Sequence, residues 1–225
     1  MVVFPSRIAF ASFLQYAPRG TSSVSATSRH VTYKLKQDGF IRVTEGGTLS
    51  AVRVIDYAAR RLSEELPNFP FLAGYFNASV TLVPVPRSTP LYPGALWVPE
   101  RLCEAIRVRG LAANVLSCAT RTTPVRQSAM AGPGQRPSPQ DHYDSLQVNT
   151  QGLPVPPQAI TSSMTSSREA RPFLAFQRGL KRHFPGVEIR CFALVRTISS
   201  GDISAMKDPV QGTISFQGGT LSRHP

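Results

Sequence analysis

Residues 159–195 read AITSSMTSSREARPFLAFQRGLKRHFPGVEIRCFALV, and this stretch decides the fold. Phe173, Phe176 and Leu180 recur at helical spacing until a Pro-Gly pair, which predicts an amphipathic helix. The last nine residues have an apolar second half that is typical of a strand covered on both faces. Because a further strand is predicted to begin around Ile160, the stretch predicts a strand–helix–strand unit.

A second unit of the same kind lies upstream. Residues 80–86, VTLVPVP, predict a short buried strand, residues 100–109 predict a helix that ends at Gly110, and residues 113–116 predict the next strand. Two such units favour a parallel sheet whose crossover helices cover both faces. The sequence therefore predicts an α/β fold in which Ile160 belongs to the central strand.

The rest of the chain predicts less regular structure. Residues 1–30 contain a run of small polar residues and are predicted to be a flexible N-terminal segment. Residues 31–225 are predicted to form a single domain, with its core at about residues 75–200 and a peripheral strand near 213–215. Six proline and glycine residues between positions 122 and 140 predict a long, irregular and mobile loop, which we expect over the end of the sheet.

The composition indicates a globular, basic protein. At 41% hydrophobic residues the chain can bury a core, which excludes a wholly disordered or fibrous protein. Lys and Arg outnumber Asp and Glu by 25 to 13, for a formal net charge of +12. Such a charge favours anionic partners, which include phosphorylated small molecules, nucleic acids and acidic lipids.

The cysteine pattern and the hydropathy exclude other classes of protein. The three cysteines lie far apart and outside any C-x-x-C or Cys/His spacing, which predicts neither a disulfide framework nor a metal site. No segment approaches the roughly 18 apolar residues of a membrane span. We therefore expect a cytoplasmic protein without a membrane partner.

The order of these pieces resembles the type I phosphoribosyltransferases, in the branch of the competence-associated ComF-like proteins. The resemblance covers roughly residues 75–200 and is carried by VPVPR at 83–87, RQSAMAGPGQR at 126–136, and the strand–helix–strand unit that closes in FALVRT at 192–197. It implies a type I phosphoribosyltransferase-like fold, with a central parallel sheet and helices on both faces. The family reaction transfers ribose 5-phosphate from phosphoribosyl pyrophosphate to a nitrogenous base, with Mg²⁺ on the pyrophosphate.

The family's signature is missing from its expected place after Ile160. It would read as two apolar residues, two acids, two apolar residues and Thr-x-Gly-x-Thr, whereas residues 162–173 are SSMTSSREARPF. By the resemblance, Met164 and Thr165 stand at the catalytic positions of the acidic pair, which holds the ribose hydroxyls. We therefore expect a preserved fold and impaired transfer, because orienting the ribose is a large part of the protein's contribution.

A shifted reading frame accounts for the missing signature. If one base is inserted before the codon of Ser162, Met164 supplies the final G of its only codon, so that the next codon becomes GAC and Thr165 is replaced by Asp. The shifted frame admits Leu-Val-Asp-Asp-Val-Val-Thr-Arg-Gly-Ala-Thr-Phe, which is the complete signature in register with the flanking strand and helix. Our hypothesis is a compensated pair of frameshifts near positions 161 and 173. Resequencing the gene tests it directly.

The resemblance implies further substrate-binding residues in the first family loop, the phosphate loop and the mobile hood loop. They are Arg87, Arg168, Ala170, Pro172, Arg126, Gln127, Ser128 and Arg136. Several of them have a structural alternative: Arg87 fits a turn bounded by prolines, Arg168 fits a solvated position, and the hood residues fit a surface loop without function. Taken in frame, residues 162–167 also fit a polar linker.

Two classes of function follow. The first is a phosphoribosyltransferase-like protein with impaired transfer, whose partners are Mg²⁺ and phosphoribosyl pyrophosphate or another phosphorylated small molecule. The alternative is a non-enzymatic protein that binds nucleotides or nucleic acid. A dedicated nucleic-acid binder is expected to interleave basic and aromatic residues on one element, and this sequence shows no such pattern.

Overall fold

The computed structural model describes residues 4–126, 136–151, 156–167, 170–198, 201–217 and 220–224. The elements within these ranges are, in chain order, β1 (Arg7–Tyr16), α1 (Ser23–Lys36), β2 (Phe40–Glu45), β3 (Thr48–Arg53), α2 (Val54–Glu65), β4 (Asn77–Pro84), α3 (Val98–Arg107), β5 (Ala112–Val115), β6 (Ala119–Arg121), α4 (Pro139–Asp144), β7 (Leu146–Val148), β8 (Ala159–Ser167), α5 (Arg171–His183), β9 (Glu188–Thr197), β10 (Lys207–Gln217) and β11 (Thr220–His224).

Seven strands form one sheet in the order β11-β10-β1-β9-β8-β4-β5. The five strands from β1 to β5 in this order run parallel, whereas β10 is antiparallel to β1 and β11 is antiparallel to β10. The pairs β2–β3 and β6–β7 form two separate two-stranded antiparallel sheets. The predicted α/β class with a largely parallel sheet is therefore confirmed, and β8 is an interior strand of it.

Helices cover both faces of the sheet. Phe192 and Leu194 on β9 belong to a buried cluster that also takes in apolar residues of α1, α2 and α3. Cys191 and Ala193 on the same strand belong to a second cluster, formed mainly with α5. Because successive side chains of a strand point to opposite faces, this alternation requires two apolar layers.

The N-terminal segment contradicts the prediction that residues 1–30 are flexible. β1 lies within the sheet between β9 and β10, and most of α1 follows it before residue 30. β1 is held there by apolar side chains on both faces, with Ile8 and Phe10 in one cluster and Phe13 in the other. The core therefore begins well before residue 75.

The small polar residues that suggested a connector begin a helix instead. The Ser22 hydroxyl caps α1 by accepting a hydrogen bond from the Ser25 N–H at 3.1 Å. The Asp202 carboxylate accepts hydrogen bonds from the Ser22 N–H at 2.7 Å and from the Ser25 hydroxyl at 2.9 Å. Small hydroxyl side chains are needed here because Ser25 and Ser28 are fully buried.

Candidate functional site

A cleft of about 400 Å³ lies at the carboxyl ends of β4 and β8. The loop that follows β4, the last residues of β8 and the first turn of α5 meet there, as expected at the carboxyl ends of parallel strands. Its cationic lining residues are Lys36, Arg87, Arg121 and Arg126. The described lining residues include no carboxylate, so the cleft wall is strongly basic.

Five of the site residues predicted from the sequence line this cleft. They are Arg87, Arg126, Met164, Thr165 and Pro172. The structure thus brings together candidates from three separate parts of the chain.

The other site residues predicted from the sequence either do not line the cleft or lie outside the described residues. Ala170 is buried immediately before α5, and Arg136 does not line the cleft. Arg168, Gln127 and Ser128 lie outside the described residues, as does the middle of the loop predicted between positions 122 and 140. The described start of that loop is attached to the cleft, because the Val125 N–H donates a hydrogen bond to the Ser88 carbonyl at 2.6 Å.

β8 buries hydroxyl groups where an interior parallel strand normally carries apolar side chains. The Thr161 hydroxyl donates to the Tyr75 carbonyl at 2.9 Å, and the Ser162 hydroxyl donates to the Arg190 carbonyl at 3.0 Å. Ser163 is fully buried, and its Oγ has no hydrogen-bond partner among the described residues beyond a contact with the weakly polar Cys103 thiol. An unsatisfied buried hydroxyl costs about 1–3 kcal/mol, so this strand is poorly suited to its position.

The two positions that the resemblance assigns to an acidic pair carry no charge. Met164 and Thr165 both line the cleft, and the thioether and hydroxyl that they offer are weak or neutral acceptors. The described residues contain no group of three or more His, Cys, Asp or Glu that could hold a metal ion. Mg²⁺ prefers carboxylate and other oxygen ligands, so the described cleft wall does not fit a Mg²⁺ ion held by the protein.

Sequence reasoning missed Arg121, the most deeply buried cation of the cleft. Its side chain donates to the Arg87 carbonyl at 3.1 Å, to the Ser145 hydroxyl at 2.7 Å and to the His142 carbonyl. These acceptors are all neutral, and none of the described carboxylates forms an ion pair with Arg121. Burial lowers the pKa of Arg121 to about 10, which still leaves it protonated at neutral pH. An uncompensated buried cation in a cleft attracts an anionic ligand.

His142 on α4 is the second residue that the sequence did not reveal. Its Nδ1 atom lies 3.3 Å from Arg121 Nη2, and its Nε2 atom is buried without a hydrogen-bond partner among the described residues. Burial, reinforced by the Arg121 charge, lowers the pKa of His142 to about 4, so the imidazole is neutral at pH 7. Because an arginine can only donate, Nδ1 accepts and the proton lies on Nε2.

Local sequence explains how α4 presents His142. The Ser138 hydroxyl accepts from the Asp141 N–H at 3.2 Å, and the Asp141 carboxylate accepts from the Ser138 N–H at 2.7 Å. This capping box starts α4. At the end of the helix, the Thr122 N–H donates a hydrogen bond to the Ser145 carbonyl at 2.9 Å, next to the β6–β7 pair. The S-x-x-D pattern could have predicted the helix, but not its position beside Arg121.

The start of α5 adds to the positive potential. Ala170 at its N-cap position provides no side-chain hydrogen bond, and the first turn has no acidic residue. The first N–H groups of a helix carry partial positive charge when they lack such partners. Since Pro172 in this turn lines the cleft, the positive end of the helix dipole lies at the same place as the arginines.

A scan of protein-family models finds no match to this chain, and a search of curated proteins finds no significantly similar sequence. The resemblance to the type I phosphoribosyltransferases therefore stays a prediction. In the part of the chain that the structure describes, no helix combines the length and apolar content needed to cross a membrane.

Proposed function

We propose that this chain is a phosphoribosyltransferase-like protein that binds a phosphorylated sugar, such as phosphoribosyl pyrophosphate, in the cleft, and that its transfer reaction is impaired. The observation that carries the proposal is the buried Arg121 guanidinium, which has only neutral partners among the described residues. Lys36, Arg87 and Arg126 add three exposed cations to the same cleft. A phosphate or pyrophosphate group would compensate this charge and make charge-assisted hydrogen bonds.

The position of the cleft supports this kind of ligand. In the family that the sequence resembles, the loop after the first strand meets the pyrophosphate, and here that loop carries Arg87 at the cleft wall. The family's 5-phosphate lies where the signature loop leads into a helix, and here Ala170 and Pro172 flank the start of α5. The two anionic ends of one substrate would thus face two cationic parts of one cleft.

The side chains of β8 account for the impaired transfer. Carboxylates at positions 164 and 165 would accept hydrogen bonds from the ribose hydroxyls and orient the reacting carbon. Met164 cannot do this, and Thr165 offers a single, mostly buried hydroxyl. The expected result is a ligand that binds by its phosphates while its ribose is poorly positioned.

Isothermal titration with phosphoribosyl pyrophosphate, pyrophosphate and ribose 5-phosphate, each with and without Mg²⁺, tests the proposal. The variant Arg87→Ala/Arg126→Ala removes two exposed cations from the cleft, and Arg7→Ala/Arg182→Ala removes two exposed cations that line neither this cleft nor the groove described below. Each lost charge-assisted hydrogen bond costs about 1.5–3 kcal/mol, so the first variant should bind pyrophosphate at least about tenfold more weakly. The matched control should bind like the unaltered chain.

Two results would contradict the proposal. The first is the absence of binding heat for all three ligands. The second is an equal loss of affinity in both double variants, which would show that only the net charge matters. Release of pyrophosphate, assayed with a panel of nucleobases, should stay at background even where phosphoribosyl pyrophosphate binds.

A separate observation favours the alternative function, the binding of single-stranded nucleic acid. Phe40 is 55% exposed and lines a groove between α1 and β2 together with His30, Lys34 and Arg42, and Tyr33 on α1 is 59% exposed. The fold therefore brings together basic and aromatic residues from different elements, which can contact phosphates and stack on bases. A single-stranded oligonucleotide added to the same titrations, at several salt concentrations, distinguishes the two functions.

A further inference from the structure

The His142 imidazole is a buried hydrogen-bond donor in the wall of the cleft. The side chain is 4% exposed and lines the cleft, and its Nε2 atom has no partner in the described part of the chain. Buried polar groups almost always have partners, so an unpartnered donor in the wall of a cleft requires an explanation. On the other side of the ring, Nδ1 contacts Arg121, and the His142 carbonyl accepts hydrogen bonds from Arg121 and from the Ser145 hydroxyl. These contacts leave Nε2 without a partner among the described residues.

The charges around His142 keep its ring neutral. Arg121 faces it from β6 and Arg171 from α5, and both oppose a second positive charge. Asp141 on α4 itself favours protonation, but burial is the largest effect and lowers the pKa of His142 to about 4. The neutral ring carries its proton on Nε2, because Nδ1 accepts from Arg121 at 3.3 Å.

We propose that His142 is a ligand-binding residue whose Nε2–H donates a hydrogen bond to a phosphoryl oxygen of the ligand in the cleft, and that Arg121 positions it by fixing the tautomer. This inference rests on the proposed function of the cleft. The pair would combine a fixed positive charge with a neutral donor, so that the site selects anionic groups rich in acceptor oxygens. A phosphate or pyrophosphate group has this property, whereas a protonated amine does not.

Pyrophosphate is the probe for the test, and two substitutions at one position separate the possible roles. His142→Phe keeps an aromatic ring and removes both nitrogens, and we expect it to bind pyrophosphate about tenfold to a hundredfold more weakly. His142→Gln retains an N–H donor close to the position of Nε2, and should recover part of the affinity. His183→Phe is the matched control, because His183 is exposed at the other end of α5.

Nitrogen-15 spectra of histidine-labelled protein report on the His142 ring directly. Its signals would not respond to pyrophosphate if His142 had only a structural role. In the unaltered chain, His142 should show the Nε2-protonated tautomer, and its Nε2 signal should shift when pyrophosphate is added. The signal of His183 should stay unchanged. If His142→Phe fails to fold, as judged by circular dichroism, this titration of the unaltered protein decides the question.

The outcomes separate this inference from the function on which it rests. Binding of pyrophosphate that is equal in the unaltered chain, His142→Phe and His142→Gln would overturn the role of His142 and leave the cleft as an anion site. A Nδ1-protonated tautomer, or a His142 signal that ignores bound pyrophosphate, would also overturn it. An unaltered protein that binds neither pyrophosphate nor phosphoribosyl pyrophosphate would overturn both proposals.

Discussion

Ser162 and Ser163 allow a direct test of whether β8 carries side chains unsuited to its position. Both residues are 0% exposed and adjacent on one strand, and they differ in their hydrogen bonds. The Ser162 hydroxyl donates to the Arg190 carbonyl at 3.0 Å, whereas the Ser163 hydroxyl has no partner among the described residues beyond a contact with the Cys103 thiol. The same substitution, serine to alanine, should therefore have opposite effects at the two positions.

The expected magnitudes follow from these contacts. Ser163→Ala removes a hydroxyl that lost its hydration on folding and gained only a weak contact with the Cys103 thiol, and an unsatisfied buried hydroxyl costs about 1–3 kcal/mol. Part of that gain is offset by the small void that the missing oxygen leaves, so we expect stabilisation of about 1 kcal/mol. Ser162→Ala removes a satisfied hydrogen bond and should destabilise the protein by about 0.5–1.5 kcal/mol.

Urea denaturation of the two variants and the unaltered chain measures the difference. The unfolding midpoints should move in opposite directions at an unchanged slope, which would show that stability and not the unfolded state has changed. In thermal melting, about 1 kcal/mol corresponds to about 2–4 °C for a domain of this size. Equal destabilisation by both substitutions would refute the reasoning, because it would show that the Ser163 hydroxyl is satisfied in solution.

Two further predictions concern the missing signature and the start of α1. Replacing residues 162–172 by Leu-Val-Asp-Asp-Val-Val-Thr-Arg-Gly-Ala-Thr should raise the melting temperature, since apolar residues again fill a buried strand, and should create Mg²⁺-dependent binding of phosphoribosyl pyrophosphate. A repaired chain that neither melts higher nor responds to the ligand would contradict the frame hypothesis. Hydrogen bonds from the Ser22 N–H and the Ser25 hydroxyl lower the pKa of Asp202 from 3.8 to about 2, so its folded value lies below its unfolded value. The carboxylate therefore stabilises the fold above about pH 4 and loses this effect as the pH falls towards 2, and Asp202→Asn should flatten the melting temperature over that range; identical acid profiles would count against it.

The sequence was informative where structure depends on local pattern. The helix at 171–183 and the strands on either side of it were predictable, because a stripe of phenylalanines and a Pro-Gly stop are visible within a few residues. β1 was not predictable in the same way. Its partners β9 and β10 lie about 180–200 positions further along the chain, and a short apolar run does not reveal pairing over that distance.

The residues of the candidate site also differ in whether the sequence could predict their position. Arg87, Met164 and Thr165 could be placed together from the sequence, because the carboxyl ends of parallel strands meet at one edge of a sheet. Arg121 and His142 could not, since their chemistry comes from burial. An arginine in a Thr-rich stretch and a histidine in a short helix are common features of a sequence. Their special environment arises only in the fold, where the β6–β7 pair and α4 bury both side chains beside each other.

The pairing of β8 shows how a strand can keep its place in a sheet while it carries side chains unsuited to that place. The backbone of β8 is paired along its length with β9 and over its first half with β4, and these hydrogen bonds do not depend on side-chain identity. Buried hydroxyls therefore lower the stability of the strand without removing it from the sheet. In the proposed function, transfer would depend instead on carboxylates at two positions, and Met164 and Thr165 occupy these positions in the cleft wall. A substitution that restores the two acids would consequently place them beside the cations without any change in the backbone.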